Sequence, residues 1–552
     1  MDTTSQTSPE APVRVTVVVP THNTGEKVLT GLRSFLEQTL PRAEFEVLYV
    51  DDGSTDDTVR ILEEEIAARG AGDTVRVLRM ANSGWPGRPR NAGTDAARGE
   101  FVHYVDDDDW LAPEALERLY ARARETGADI VAGRMAGHGR KVPRELFEKP
   151  RAAADLRQDT ALLAAMTVHK LFRRGFLVRH GLRFAEGPVR LEDHLFMLRA
   201  YLLTDRVATV HDHTCYHWVR HPGDARQNIS FRPIEPGPYI DSVRRVLDVL
   251  DAPDTCVPPG RHRNRLTAKW YGKKALDRIT GRNLLDLPEE CRAEWFEAVA
   301  SLAADLPPQA DAALPTRLRI VAALARHGDR QLLEEFAAFD ARVDHRPRVR
   351  AAEWADGRLT VRCATGLVRK AGGGASSGPV FTGTPERLRL RLPPRVAAVP
   401  GAAGAADFTR AVRRGTVRGQ LRHRESGTEL NVETTWRLAA GPREAPPARG
   451  LRSRVVGLLR RAAGRPTGPG GAPGRPEPQV PQFEAEFTVD PATADRGGPL
   501  APGTWEVRLQ LGCGGWRTAR TLPGLTLQAP ATRPEPRLPG PRRPAATRTP
   551  AG

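Results

Sequence analysis

A chain of 552 residues exceeds what one hydrophobic core organises, so two to four domains are expected. Five scattered cysteines without a CxxC pair argue against a disulfide framework or a structural zinc knot, and no apolar run reaches the 18 residues a spanning helix needs. The formal charge of +16 favours polyanionic partners, but only 8 of 83 basic residues are lysine, an arginine bias that codon composition also produces; no recognition helix, zinc finger or stacking platform points to nucleic acid.

Residues 1–12 are polar and carry no basic-then-apolar leader, so a cytoplasmic protein is expected, with peripheral contact at the inner face of the plasma membrane left open. Val13–Val19 is a β-branched run and reads as a buried strand. Leu29, Leu32, Phe35 and Leu36 have helical spacing, and Phe45–Val50 is a second strand. Ser54 is placed to cap the helix that follows, with Asp57 three residues on. Val75–Met80 and Phe101–Val105 are further strands, with a helix around Asn91–Ala97 between them. A helix from Pro113 to Thr126 should stop at Gly127, and Ala128–Ala132 follows as a strand. This alternation predicts an α/β domain with a mostly parallel sheet, whose ligands collect beyond the carboxyl ends of the strands.

Helices should dominate residues 160–330, with Glu192–Leu203 and Arg265–Ile279 the clearest. From about residue 345 short strands take over: Leu359–Cys363, Leu388–Leu392, Glu429–Leu438, Phe483–Val489 and Trp505–Leu511. The expected division is an N-terminal tail (1–12), a catalytic α/β domain (13–235), a helical extension (236–342), a C-terminal β-sandwich module (343–530) with a Pro/Gly/Arg-rich insertion near 440–480, and a tail (531–552) rich in Pro, Ala, Arg and Thr.

Both aspartate clusters fall at strand ends. Asp106-Asp-Asp-Asp109 packs four carboxylates together, an arrangement destabilised by mutual repulsion unless a cation or many donors offset it. Hard oxygen ligands suit Mg²⁺ or Mn²⁺ that also holds a diphosphate. Asp51-Asp52 could accept from a nucleobase or ribose, and Arg88 and Arg90 offer planar donors on the loop from Asn82 to Asn91. Taken singly, each has a plain alternative: a solvated acidic loop, a helix cap, a surface connection. Two clusters ending two strands of one sheet are harder to dismiss.

Val17-Val-Val-Pro-Thr-His-Asn23, Asp51-Asp-Gly-Ser-Thr-Asp56, Arg90-Asn-Ala-Gly93 and Val105-Asp-Asp-Asp-Asp-Trp110 resemble, in order, the signature of inverting family 2 glycosyltransferases. Lys170-Leu-Phe, Phe184-Ala-Glu-Gly187, Leu191-Glu-Asp-His-Leu-Phe196 and Tyr216-His-Trp-Val-Arg220 continue the resemblance, which covers about residues 13–235. It implies a GT-A catalytic fold, Rossmann-like with a metal site, and a UDP-sugar donor. It implies a donor site of Pro20, Asn23, Asp52, Asn82, Arg88, Arg90, Asp106, Asp107, His217 and Arg220. Asp106 and Asp108 would form the metal-binding pair, with His211 a further candidate ligand for Mn²⁺ or Mg²⁺. Asp107 departs from the small residue usual inside that pair. Asp193 would be the general base, with Glu192 beside it; read without the family, the two acids simply favour a helix N-terminus.

Within the family, Ser83-Gly-Trp-Pro-Gly, the Glu-Asp-His-Leu-Phe run and the trailing β-rich part resemble bacterial transferases that place N-acetylglucosamine on poly(ribitol-phosphate) wall teichoic acid. That implies an anionic polyol-phosphate acceptor, an immunoglobulin-like C-terminal module and a homotrimer formed through it. Arg261-His-Arg-Asn-Arg265 with Lys269, Lys273 and Lys274 is a candidate track for such a polymer, or a solvated helix face. Arg452–Arg465 is a further basic segment that reads as a linker or as a membrane-resting helix. The competing functions are transfer to capsular, lipid-linked or protein acceptors, and a non-catalytic glycan-binding scaffold.

Overall fold

The computed structural model describes residues 12–221, 233–370, 378–384, 387–440, 481–495 and 498–529. The expected insertion near 440–480, the Arg452–Arg465 segment, the 531–552 tail and all but the last residue of the 1–12 tail lie outside the described residues. The chain divides into two compact units, one formed by residues 1–275 and 297–313, the other by 276–296 and 314–552.

The first unit is built on an eight-stranded sheet. Its strands are β1 (Val15–Thr21), β2 (Phe45–Asp52), β3 (Val75–Met80), β4 (Phe101–Tyr104), β5 (Trp110–Leu111), β6 (Ile130–His138), β7 (Leu171–Arg173) and β8 (Val207–Val219), in the order β3-β2-β1-β4-β7-β6-β8-β5. Four of the seven pairings are parallel, and these include all three in the β3-β2-β1-β4 half. The antiparallel intruder β7 has three residues, too few for periodicity to reveal. Every residue of β1 and β2 is buried, as mostly apolar strands covered on both faces require, and the one charge in mid-strand, Glu46, accepts from Thr16 Oγ1 at 2.8 Å and Arg98 N at 2.8 Å.

Register brings the acidic clusters together. β1 pairs Thr21 with Asp51, β2 pairs Asp52 with Met80, and β1 pairs Val18 with Tyr104, so Asp52 and Asp106 leave the sheet at the same edge. Helices α1 (Val28–Leu36), α2 (Thr58–Ala68), α3 (Gly87–Ala96), α4 (Ala115–Thr126), α5 (Arg174–Arg179) and α6 (Glu192–Leu202) join the strands. Gly93 lets α3 press on the sheet: a β-carbon there would lie 2.4 Å from Val18 Cγ1.

Ser54 does not cap α2. The helix starts four residues later, Asp56 accepts from Thr58 N at 3.0 Å, and Ser54 Oγ instead accepts from Asn23 N at 3.0 Å. The helix expected over Arg265–Ile279 is also different. α7 (Pro236–Asp248) is followed by α8 (Arg261–Trp270), which passes into a π turn at Tyr271–Ala275 and a 3₁₀ turn at Leu276–Ile279. Such π turns admit an extra residue and redirect the side chains around them.

The second unit joins helices Thr316–His327 and Arg330–Asp340 to a β-rich, antiparallel region. Arg317 donates to buried Asp340 at 2.7 and 2.8 Å and to Asp277 at 2.9 Å, while the Trp516 indole donates to the same Asp340 at 2.7 Å. Two four-stranded sheets form the larger part of the region. One orders Arg348–Ala355, Arg358–Thr365, Pro481–Val489 and Thr434–Ala440; the other orders Glu429–Val432, Thr416–His423, Gly503–Cys513 and Trp516–Ala529. The single strand expected over Glu429–Leu438 is two, because the chain changes sheets at Glu433: Val432 pairs with Gly419, and Thr434 with Phe487.

Candidate active site

The loops at the carboxyl ends of β1, β2 and β4 enclose the site. Pro20 is buried in β1, and Asn23, with φ +50°, accepts from Thr55 N at 2.8 Å and so ties the loop after β1 to the one after β2. Asp52 is buried and its carboxylate accepts from the backbone N–H of Ser83 at 2.9 Å and the Ser83 hydroxyl at 2.8 Å. Gly53, at φ +68°, allows this approach, since a β-carbon would fall 2.7 Å from Asn82 N. Asn82 lies against the His22 ring, and His22 Nδ1 is 3.0 Å from the Asp52 carbonyl. Trp85 anchors the loop by donating to the Val189 carbonyl at 2.7 Å.

The second cluster is ordered by α3 and β8. Arg90, buried on α3, donates to Asp106 Oδ1 at 3.0 Å and to Glu192 Oε1 at 3.2 Å. Asp109 is fully buried, accepting from the Tyr216 hydroxyl at 2.6 Å and Val219 N at 2.7 Å. Asp107 accepts from the Thr24 hydroxyl and, at 3.3 Å, from His22 N. Removal from water, then the charges of Asp108 and Asp106, push Asp107 up to about 8, and burial with the same neighbours lifts Asp109 well above the carboxylate range. Asp106 stays below it: burial opposes ionisation, but His169 and Arg90 outweigh that.

Asp106, Asp109 and His169 bring one donor atom each within 4.8 Å of one another. Hard carboxylate oxygens with an imidazole at this spacing match a divalent cation such as Mn²⁺ or Mg²⁺. Asp108 and His211 are not in that group; the Asp108 carbonyl lies 3.2 Å from His221 Nε2, and His211 Nδ1 lies 3.9 Å from Asp212. His217 is also turned elsewhere, stacked on Trp110 at 5.0 Å and hydrogen-bonded to His138 at 2.9 Å. Arg88 and Arg220 are exposed.

Glu192 and Asp193 open α6 directly after Leu191, a non-glycine residue at φ +60°. Asp193 Oδ1 accepts from the backbone N–H of His194 at 2.7 Å. Burial and the neighbouring Asp193 raise Glu192 to about 7 against the pull of Arg90. Burial also raises Asp193, opposed by the His194 N–H, Lys274 and Arg90. Lys170, 2% exposed, donates to the Thr167 carbonyl, and Asp193 is the carboxylate that acts on it.

Arg90 thus links Asp106 to Glu192, and Asp193 shares that neighbourhood; Asp52, Asn82 and Asn23 form the adjoining wall. Sequence reasoning did not single out His169, Tyr216, Ser83 and Lys170 as site residues. Lys170 carried one overlooked signal, a lysine kept in a chain whose basic residues are overwhelmingly arginine.

The α/β domain with acidic clusters at its strand ends falls where the family model "Glycosyl transferase family 2" matches, over residues 16–178. A second model, "Glycosyl transferase TarS linker domain", matches residues 236–337. The chain is 27% identical over 326 residues to a poly(ribitol-phosphate) beta-glucosyltransferase of Bacillus spizizenii, covering 59% of this chain and 50% of that protein. It is 28% identical over 321 residues to the poly(ribitol-phosphate) beta-N-acetylglucosaminyltransferase TarS of Staphylococcus aureus, covering 57% and 54%. The crystal structure of S. aureus TarS 1-349 in complex with UDP-GlcNAc superposes with a TM-score of 0.53 at 25% identity, covering 66% of this chain and 99% of that one. The chain spans about half the length of the curated relatives it matches.

Proposed function

We propose that the protein is an inverting glycosyltransferase that moves a sugar, N-acetylglucosamine foremost, from a UDP-sugar to a hydroxyl of a polyol-phosphate wall polymer such as poly(ribitol phosphate). The observation that carries this is the Arg90 bridge between the Asp106 and Glu192 carboxylates, with Asp193 next to Glu192, which supports a diphosphate-side cluster beside a base. The relatives' activities support the donor and acceptor classes.

In this reading Pro20, Asn23, Asp52 and Asn82 form the nucleoside wall, and Ser83 exchanges its hydrogen bonds to Asp52 for a bound base. Asp106 and Asp108 would hold Mn²⁺ or Mg²⁺, with Asp109 and His169 grouped beside Asp106 and His211 a further candidate; bound there, the cation would neutralise charge on the departing diphosphate. Arg88, Arg90, Asp107, His217 and Arg220 complete the donor side. Asp193 takes the proton of the attacking hydroxyl while that oxygen bonds the anomeric carbon and the UDP oxygen leaves. An ordinary carboxylate is too weak a base to deprotonate a free alcohol, but its raised pKa and a position within about 3 Å let it accept the proton as charge develops. One displacement with one base inverts the anomeric centre.

Lys269, Lys273 and Lys274 are the candidate contacts for acceptor phosphate, since Lys274 acts electrostatically on Asp193 and all three are coupled through Lys269. Residues 13–235 are read as the catalytic domain, 236–342 as a helical extension and 343–530 as an immunoglobulin-like sandwich module. The seating of Phe487 over Gly419, 2.7 Å from where a β-carbon would stand, supports a sandwich of the two larger sheets. Assembly as a homotrimer through that module, and a cytoplasmic, peripherally membrane-associated location, complete the proposal. Among the described residues no helix is long and apolar enough to cross a membrane.

The glucosyltransferase relative favours a second donor, UDP-glucose. Incubating the purified protein and poly(ribitol phosphate) with each UDP-sugar, and measuring sugar incorporated into polymer, tests both readings. Incorporation from UDP-N-acetylglucosamine above UDP-glucose is expected; no incorporation from either overturns the proposal.

A further inference from the structure

The residue after the proposed base is held by an indole from α8, within the stretch that matches the linker model rather than the transferase model. Trp270 is fully buried, and its Nε1–H, a donor only, lies 3.0 Å from Nδ1 of half-buried His194. The rings meet edge to face at 82° with centroids 6.2 Å apart. Nδ1 must therefore accept, which leaves the imidazole proton on Nε2. Through its backbone the same residue donates to Asp193 Oδ1 at 2.7 Å. His194 is tied to the base on one side and to the indole on the other. The π turn beginning at Tyr271 follows Trp270 directly, as a local break in the helix at a functional site often does.

We propose that Trp270 is a positioning residue for transfer: its indole N–H locks His194 in the Nε2–H tautomer, so that a neutral N–H donor stands beside Asp193 for an oxygen of the acceptor. This rests on the transferase reading given above. Neutrality matters because Lys274, Lys269 and Lys170 all act on this imidazole. A further positive charge there would stabilise the ionised Asp193 and weaken it as a base, whereas a neutral N–H orients the acceptor at no such cost. Burial and the three lysines hold the His194 pKa well below its ordinary value, consistent with that state. The linker-type segment in this way contributes to chemistry performed by the family 2 domain.

The test is a double-mutant cycle on the full chain with Trp270→Phe, His194→Phe and the double variant, scored by kcat, by UDP-sugar Kd and by Tm. Each single variant is expected to lower kcat about 10-fold or more while donor Kd stays within about 2-fold, and the double variant to be no worse than the poorer single. Additive losses, or kcat falling only in step with Tm and donor Kd, would reduce Trp270 to a packing residue and overturn the proposal. Should Trp270→Phe not fold, long-range ¹⁵N–¹H spectra of ¹⁵N-histidine-labelled wild type decide. The signal lost in His194→Gln must report a neutral ring protonated at Nε2; protonation at Nδ1 refutes the lock. Wild type that transfers no sugar to any acceptor overturns the transferase reading instead, and the tautomer measurement still judges the indole contact.

Discussion

Arg90 Nη2 lies 3.0 Å from Asp106 Oδ1 while the other arm of the same guanidinium reaches Glu192 at 3.2 Å, so one buried cation spans residues 86 positions apart in the chain. The planar fork makes this possible, and an ammonium on a flexible stem cannot hold two such directions at once. Arg90→Lys is expected to lower kcat/KM about 10- to 100-fold, equivalent to about 1.4–2.7 kcal/mol, by steady-state kinetics. An unchanged kcat/KM would separate the bridge from function.

Asp193→Asn keeps the side chain's shape and its acceptor oxygen for the His194 N–H but removes the base. Turnover is expected to fall about 10²- to 10⁴-fold, with UDP-sugar affinity by calorimetry within about 2-fold of wild type. Equal losses in affinity and turnover would assign Asp193 to donor binding.

Gly93 tests the packing that sets α3, and Arg90 with it, against the sheet. The β-carbon of Gly93→Ala would stand 2.4 Å from Val18 Cγ1 and 3.1 Å from Val50 Cγ2. Overpacking of this kind costs about 1–3 kcal/mol, so a lower Tm is expected in calorimetry together with reduced activity. Full stability would show that the sheet yields freely at this point.

Acid sensitivity should originate in part in the β-rich region. His345 is buried there, with Nε2 at 3.1 Å from the Leu509 carbonyl, and burial pulls its pKa down to about 4. A folded value below the unfolded value near 6.5 means the unfolded chain binds the proton first. Stability is full above about pH 6.5 and falls as pH drops toward 4, by up to about 3 kcal/mol from this residue. Asp344, held low by Arg520 and Lys370 despite burial, adds to the loss at still lower pH. Tm measured from pH 7 to 4 should decline, and His345→Gln should flatten that decline. A parallel decline in the variant would place the sensitivity elsewhere.

Much of the first unit was legible because its signals are local. β1 and β2 are mostly apolar runs, and the aspartates close β2 or come just past the end of β4, so the site's edge could be read from a few consecutive residues. What escaped depends on residues far apart in sequence. Tyr216 reaches Asp109 across 107 positions and Trp270 reaches His194 across 76, and nothing in the local sequence of either names that partner. Ser54 failed as a cap because Asn23 competes for its hydroxyl, a tertiary contact that no helix-start rule contains. The strand change at Glu433 likewise arises from two partners, Gly419 and Phe487, that only the folded chain brings alongside.

The most direct test of the central claim is incorporation of radiolabelled N-acetylglucosamine from its UDP donor into poly(ribitol phosphate) with Mn²⁺, by wild type and by the Asp106→Ala/Asp108→Ala double variant. Label should enter the polymer with wild type and fall at least about 10²-fold in the double variant and on chelation. Equal labelling by the double variant, or none by wild type, would contradict it.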